Sequence, residues 1–407
     1  MSKNVRNLIF ICAAVYVAAY VGRLSYAAAM VGIMEATGAS KPDAGLVSTF
    51  FYFTYGCGQL VNALFCRRYK PRPVIAGVLL VSVAANILAA LIRDVTVIKF
   101  IWLVNGAAQS MLWCTLIELI SHKVPSEHRR KAIFAMSITV ALGTTSIYGI
   151  AALCMAMDRV FLTFFVAAAI LLCAAGAWLY VTRVLKDMPE VQAQEKQAVS
   201  EKADHTPSGA QIAGLLSFIV CGFLAVGNGF MKDTMVTWVP SLLYDEFHLP
   251  TSYSVLITLI LPLLAFFGAT IALTMHKKIS NYNIMQSILF FCAAAAFTGV
   301  LLSYHTHVML GIIACAGLNA TLMSAVNNII TSMIPLERGK GAGLFAGIMD
   351  ACCYVGSTLS GFLPGVIIES FGYNTLLTLL PVCAVVLAAF ALTVTLLSGR
   401  RKSEKNS

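Results

Sequence analysis

Arg23 stands in the middle of YVAAYVGRLSYAAAM (residues 16–30), a stretch otherwise apolar enough to lie in a bilayer. It follows Arg6 by seventeen residues, about 25 Å of helix at ~1.5 Å per residue, so its side chain cannot reach back to the near surface. Such a cation can snorkel outward or bond a neighbouring helix's carbonyls, but an intramembrane charge costs a few kcal/mol or more, and a binding or pathway role is the better default. Tyr16, Tyr20 and Arg23 follow i, i+4, i+7 spacing and share a helix face, which sets two phenols beside a guanidinium and suits an anion's oxygens. Lys232 is the second stray cation. In GNGFMKDTMVTWVP (227–240), Asn228 and Lys232 share a face, Asp233 projects about 100° away, and Gly227, Gly229 and Pro240 are points where the helix could bend or break. Tyr55 and Gln59, one turn apart, either line a cavity or pack between helices. Asp350, in GIMDACCYVG (347–356), has no flanking charge. It can pair with Lys232 in an empty site, titrate as a coupling proton site, or pack in protonated form. Glu118, close to His122 and Lys123, reads as a gating or interface salt bridge.

The elements that position these residues are membrane helices. Of 407 residues 59% are hydrophobic and 11% charged, the composition of a polytopic membrane protein. About 20 apolar residues make a spanning helix. Twelve such spans are expected, at 7–31, 45–66, 73–92, 97–120, 131–156, 160–184, 211–243, 253–275, 284–303, 307–333, 341–368 and 373–397. The first is expected to be retained, lacking a small-residue cleavage site. The twelve cysteines lie mostly in these stretches and read as small packing residues without metal-ligand spacing. The net charge of +10 is explained by its placement. Apart from Arg23, Lys232, Lys41, Arg93, Lys99 and Arg159, every Lys and Arg falls on one side of the spans. The positive-inside rule then puts both termini and the 186–210 stretch in the cytoplasm of a cell-membrane protein, with the lipid bilayer and not nucleic acid as partner. That polar stretch links two halves, 1–185 and 211–399, with a tail at 400–407. The halves repeat at an offset near 210: VPSEHRRKAIFA (124–135) matches IPLERGKGAGLFA (334–346), and Arg23 falls opposite Lys232. Parallel six-helix repeats with a midplane site between them are a known transporter plan. No Walker lysine, HExxH or nucleophile elbow points to an enzyme, and no cofactor is expected.

These residues carry a resemblance: the chain is similar to major facilitator superfamily transporters of the organophosphate:phosphate antiporter family. The Y-x-x-x-Y-x-x-R of that family's first helix is matched by Tyr16, Tyr20 and Arg23, and its second arginine, six residues before W-x-P, by Lys232 with Trp238 and Pro240. YGCGQLVNALFCRRYKPR (55–72) and RGKGAGLFAGIMDACCYVGS (338–357) also resemble it. The chain departs from the family where Gln59 replaces a usual lysine, where no histidine stands near Val140, where Arg67 replaces an acid, and where Asp350 adds one. The resemblance implies an all-α fold of twelve spans in two pseudo-symmetric halves, and a monomeric secondary transporter of a small organic anion. Phosphate, a phosphoester, a carboxylate or a zwitterion whose amine meets Asp350 would each fit, by antiport or proton symport. A cation or drug exporter on the same fold, or a membrane sensor, are the alternatives.

Overall fold

The computed structural model describes residues 3–65, 70–184, 208–337 and 342–404, and every element assigned among them is helical. Spans one to seven are α1 (Lys3–Thr37), α2 (Lys41–Phe65), α3 (Pro71–Ile92), α4 (Val95–Lys123), α5 (Ser126–Ala156), α6 (Leu162–Val184) and α7 (Ser208–Phe247). Span eight is three pieces, α8 (Thr251–Ile257), α9 (Ile260–Ala265) and α10 (Gly268–His276). Span nine is α11 (Tyr282–His305), and span ten is α12 (Met309–Asn328), a π-turn (Ile329–Met333) and α13 (Ile334–Glu337). Spans eleven and twelve form one long element, α14 (Ala342–Glu404), bent at Gly372, whose φ of 79° and ψ of 169° lie where a side chain is not tolerated.

Ten stretches are long and apolar enough to cross a membrane. They accommodate the twelve expected spans because α14 contains two, and because α2, diluted by Ser, Thr, Tyr, Gln and Asn, is not among the ten. The ends are set by local chemistry. Asp94 caps α4 by accepting from Thr96 N at 2.7 Å, and Asn281 caps α11 through the amides of Asn283 and Ile284.

Span seven could bend or break at Gly227, Gly229 or Pro240 by its sequence; α7 is not broken at any of the three. The two glycines serve close packing instead: a Cβ on Gly227 would collide with Leu387, and one on Gly229 with the backbone carbonyl of Cys353. The broken span is the eighth, where Pro262 cannot donate to the carbonyl of Thr258 and the helix parts at that residue. In the tail expected from residue 400, α14 continues helical to Glu404. Of the expected linker, 208–210 begin α7 and the rest lies outside the described residues, as do 405–407.

The repeat is visible in the packing. Gly143 of α5 lies against the Val17 carbonyl and Tyr20 of α1, and Gly356 of α14 lies against the Val226 carbonyl and Phe230 amide of α7. The same close helix crossing thus recurs beside each stray cation, with small residues admitting it.

The two halves meet toward the end of the molecule away from the chain termini, here called the distal end. Glu35 accepts from Thr251 at 2.6 Å, Lys41 pairs with Asp245 at 3.1 Å, and the Lys41 amide donates to Glu369 at 3.2 Å. Farther in, Gly45 abuts Gly361, and Thr49 donates to the Thr358 carbonyl at 2.8 Å. On the other seam α5 packs against α8 and α9, the distal pieces of span eight.

Candidate functional site

Arg23 is 4% exposed. Its guanidinium carbon sits 4.2 Å from the ring centre of Tyr55, 4.6 Å from Tyr20 and 5.7 Å from Phe51. Tyr20 and Tyr55 meet the cation with their ring faces, because a planar guanidinium stacks on aromatic rings. Tyr16 stands one step back, edge-on to Tyr20 at 5.2 Å and against Trp113 at 4.9 Å. Arg23 Nε donates to Gln109 Oε1 at 3.2 Å. Gln109 in turn donates to Ser82, Ser82 donates to Asn105, and Asn86 donates to the Gly22 carbonyl while accepting from Ser25. Spans three and four therefore hold Arg23 through a fully buried polar lattice, and its Nη2 is buried with no partner. A buried guanidinium nitrogen left open costs free energy that a ligand oxygen would recover.

Gln59 donates from Nε2 to Tyr55 Oη at 3.0 Å and accepts from Cys114 Sγ at 3.4 Å, so it acts through the tyrosine ring beneath Arg23. Across the interface, the Lys232 side chain is 33% exposed and its Nζ lies 3.5 Å from Asp233 Oδ1, while Ser357 of span eleven donates to Asp233 Oδ2. The expected alternative of a Lys232–Asp350 pair is thereby replaced. The long lysine stem reaches around the helix to its sequence neighbour, which Ser357 fixes in place. Asp350 has no ion-pair partner among the described residues, yet the charges of Lys232 and Arg23 both act on it. Asn228 is fully buried; its Nδ2 lies 3.5 Å from Asn327 Oδ1, which also accepts from Cys353 Sγ, and its own Oδ1 has no partner. Glu118 meets His122 at 2.9 Å, one turn along α4.

Sequence reasoning missed Gln109, Tyr354, Ser357 and Asn327. Gln109 and Asn105 are four apart inside an apolar stretch, a signal equally compatible with packing. Tyr354 follows Asp350 by one turn and its ring lies 4.5 Å from that of Tyr55, joining the halves directly below Arg23. Among the described residues no group of three His, Cys, Asp or Glu could hold a metal ion.

A profile described as Major Facilitator Superfamily matches residues 12–356. A probable sulfoacetate transporter, SauU, from Cupriavidus necator is 23% identical over 376 residues, covering 88% of this chain and 86% of that protein. A probable hexose phosphate transport protein of Chlamydia muridarum is 28% identical over 107 residues, 26% of this chain. That match spans 24% of the relative's own length. Among solved structures, a bacterial homologue of the lysosomal transporter Spinster, in an inward-facing and occupied conformation, aligns with TM-score 0.75 at 11% identity over 97% of this chain and 98% of its own. A D-xylose-proton symporter aligns with TM-score 0.72 at 11% identity over 96% and 97%. At such identities the likeness is one of fold.

Proposed function

This chain belongs to the Major Facilitator Superfamily, and from that premise we propose that it is a secondary active transporter carrying a small organic anion by alternating access. It is a multi-pass membrane transporter and not an enzyme. The observation that carries the anion reading is Arg23, buried at midspan with a guanidinium nitrogen unpartnered; Lys232, at the matching place in the sequence repeat, supplies a second cation in span seven. Ring faces of Tyr20 and Tyr55 and the Gln109 amide oxygen hold the rest of the guanidinium, which supports leaving that nitrogen to a ligand. The solutes named for its relatives, sulfoacetate and hexose phosphate, are both anions and lend support.

In this reading the anionic group bridges Arg23 and Lys232 and draws the halves together, since a ligand shifts a conformational equilibrium only through unequal affinity for its states. Anion arriving at Lys232 competes with Asp233. Uphill movement draws on an exchanged anion or on protons. With both termini in the cytoplasm of a cell membrane, as the distribution of Lys and Arg favours, the packed distal end faces outward and the conformation described is inward-facing.

Ligand-induced thermal stabilisation tests the reading: wild type and Arg23→Gln, purified, against phosphate, phosphoesters, carboxylates, sulfonates and lipophilic cations. One anion class is expected to stabilise wild type, with about tenfold to hundredfold more needed for the variant, the worth of a charge-assisted hydrogen bond. Stabilisation by cations alone, equal in the variant, would make Arg23 structural and favour the exporter alternative.

A further inference from the structure

Before a ligand arrives, the charges around the site are not all free. Lys232 lies 3.5 Å from Asp233, and Asp233 is held on its other oxygen by Ser357. That pair is internally neutral. What remains unpaired is one cation and one anion: Arg23, with Nη2 open, and Asp350, without an ion-pair partner among the described residues. They stand on opposite halves, in spans one and eleven, and the charge of Arg23 acts on Asp350. Between them lie tyrosine rings. Arg23 sits over Tyr55 at 4.2 Å, and Tyr55 is 4.5 Å from Tyr354, one turn beyond Asp350 on the same helix face.

A simple anion completes only one end of this arrangement. It satisfies Arg23 but brings a second negative charge toward Asp350 in a medium of low dielectric. A ligand with an anionic group at one end and an ammonium at the other completes both. Its anionic oxygens take Arg23 Nη2, its ammonium takes the Asp350 carboxylate, and the ring faces of Tyr55 and Tyr354 receive the flanking cationic charge. We infer that the transported solute is a short zwitterion, an aminoalkyl phosphonate or sulfonate or an amino acid, with Asp350 as the ammonium subsite. The inference rests on the anion reading of Arg23 and goes beyond it by naming the second charge.

The charged and titratable groups acting on Asp350 are Lys232 of span seven, Arg23 and Tyr16 of span one, Tyr55 of span two, and Cys353 and Tyr354 of its own helix. Lys232 opposes an incoming ammonium, and Asp233 offsets that opposition at 3.5 Å.

The test is thermal stabilisation of the purified full chain by matched pairs: taurine against propane-1-sulfonate, and 2-aminoethylphosphonate against propylphosphonate. The amino member of at least one pair is expected to reach half-maximal effect at about tenfold lower concentration, the scale of a charged hydrogen bond. In Asp350→Asn the two members should converge to within about twofold, and Asp350→Glu should restore part of the preference. Equal binding within both pairs overturns the ammonium subsite, as does a preference that survives Asp350→Asn. If Arg23→Gln still responds to every compound as wild type does, the anion reading fails and this inference falls with it. If Arg23→Gln loses the response but the amine adds nothing, this inference alone fails. Should Asp350→Asn not fold, Asp350→Glu and Tyr354→Leu carry the comparison, the first retaining and the second diminishing the amine preference.

Discussion

Replacing Gly45 with alanine should open the distal end. Gly45 and Gly361 face each other where spans two and eleven cross between the halves, and a Cβ on Gly45 would fall on the Gly361 carbonyl oxygen, 2.9 Å from its carbon and 3.2 Å from Trp238 Cζ2. Its nearest obstacle is backbone, which cannot rotate away, so the two helices must separate by roughly 1.5 Å to restore ordinary contact near 3.5 Å. Overpacking of this kind costs about 1–3 kcal/mol. The cost is borne by the distally packed state, because the crossing comes apart when the distal end opens. The ratio of open to closed molecules should therefore rise about 5- to 150-fold. Pulsed electron spin resonance between labels at Ala36 and His248, exposed distal positions on the two halves, in a background free of native cysteines, reads that ratio as a shift toward the longer distance. Gly77→Ala is the control, since nothing lies near the Cβ it would add and it should cost no packing. An unchanged distance distribution in Gly45→Ala, with an unchanged melting temperature, would refute the claim that this crossing holds the halves shut.

Gly372→Ala should destabilise the bend between spans eleven and twelve by about 1–3 kcal/mol, because its backbone lies in a region essentially reserved for glycine; an unchanged melting temperature would count against that geometry. At the start of α2, the hydrogen bond from Lys99 Nζ, then that from Ser40, holds the Asp43 carboxyl below its ordinary value of 3.8. Its contribution to stability is present above that value and lost as pH falls through the lower folded one. The melting-temperature gap between wild type and Asp43→Asn should thus be present near neutral pH and close in acid; a gap that persists or widens there would contradict the assignment.

The depth of Arg23 and its shared face with Tyr16 and Tyr20 were legible because helical period and rise fix both from the sequence. Which atoms meet the guanidinium was not. Gln109 lies 86 residues away, and an uncharged amide within an apolar helix carries no mark that distinguishes a partner from packing. The Lys232–Asp233 pair was obscured for a different reason. Angular spacing along a helix describes where Cβ atoms point, and a lysine has three further carbons with which to turn back. The break in span eight was missed although Pro262 lies within it, whereas Gly227 and Gly229 suggested a hinge that close packing explains instead. Glycine in a membrane helix serves either purpose, and only its neighbours tell which.

The two cations are mounted unequally. Arg23 is clamped between ring faces and tied into a lattice crossing spans one, three and four, whereas Lys232 ends in a half-exposed ammonium with one acidic neighbour. Such a site works as a vise with one fixed jaw. A group docking on Arg23 finds its geometry already set, and little side-chain freedom remains there to be lost. The movable jaw gives up rotamer entropy on each loading, roughly 1.5–2 kcal/mol for a lysine fully immobilised. Head-group shape should therefore be read strictly on the side of span one, while differences in solute length are absorbed on the side of span seven.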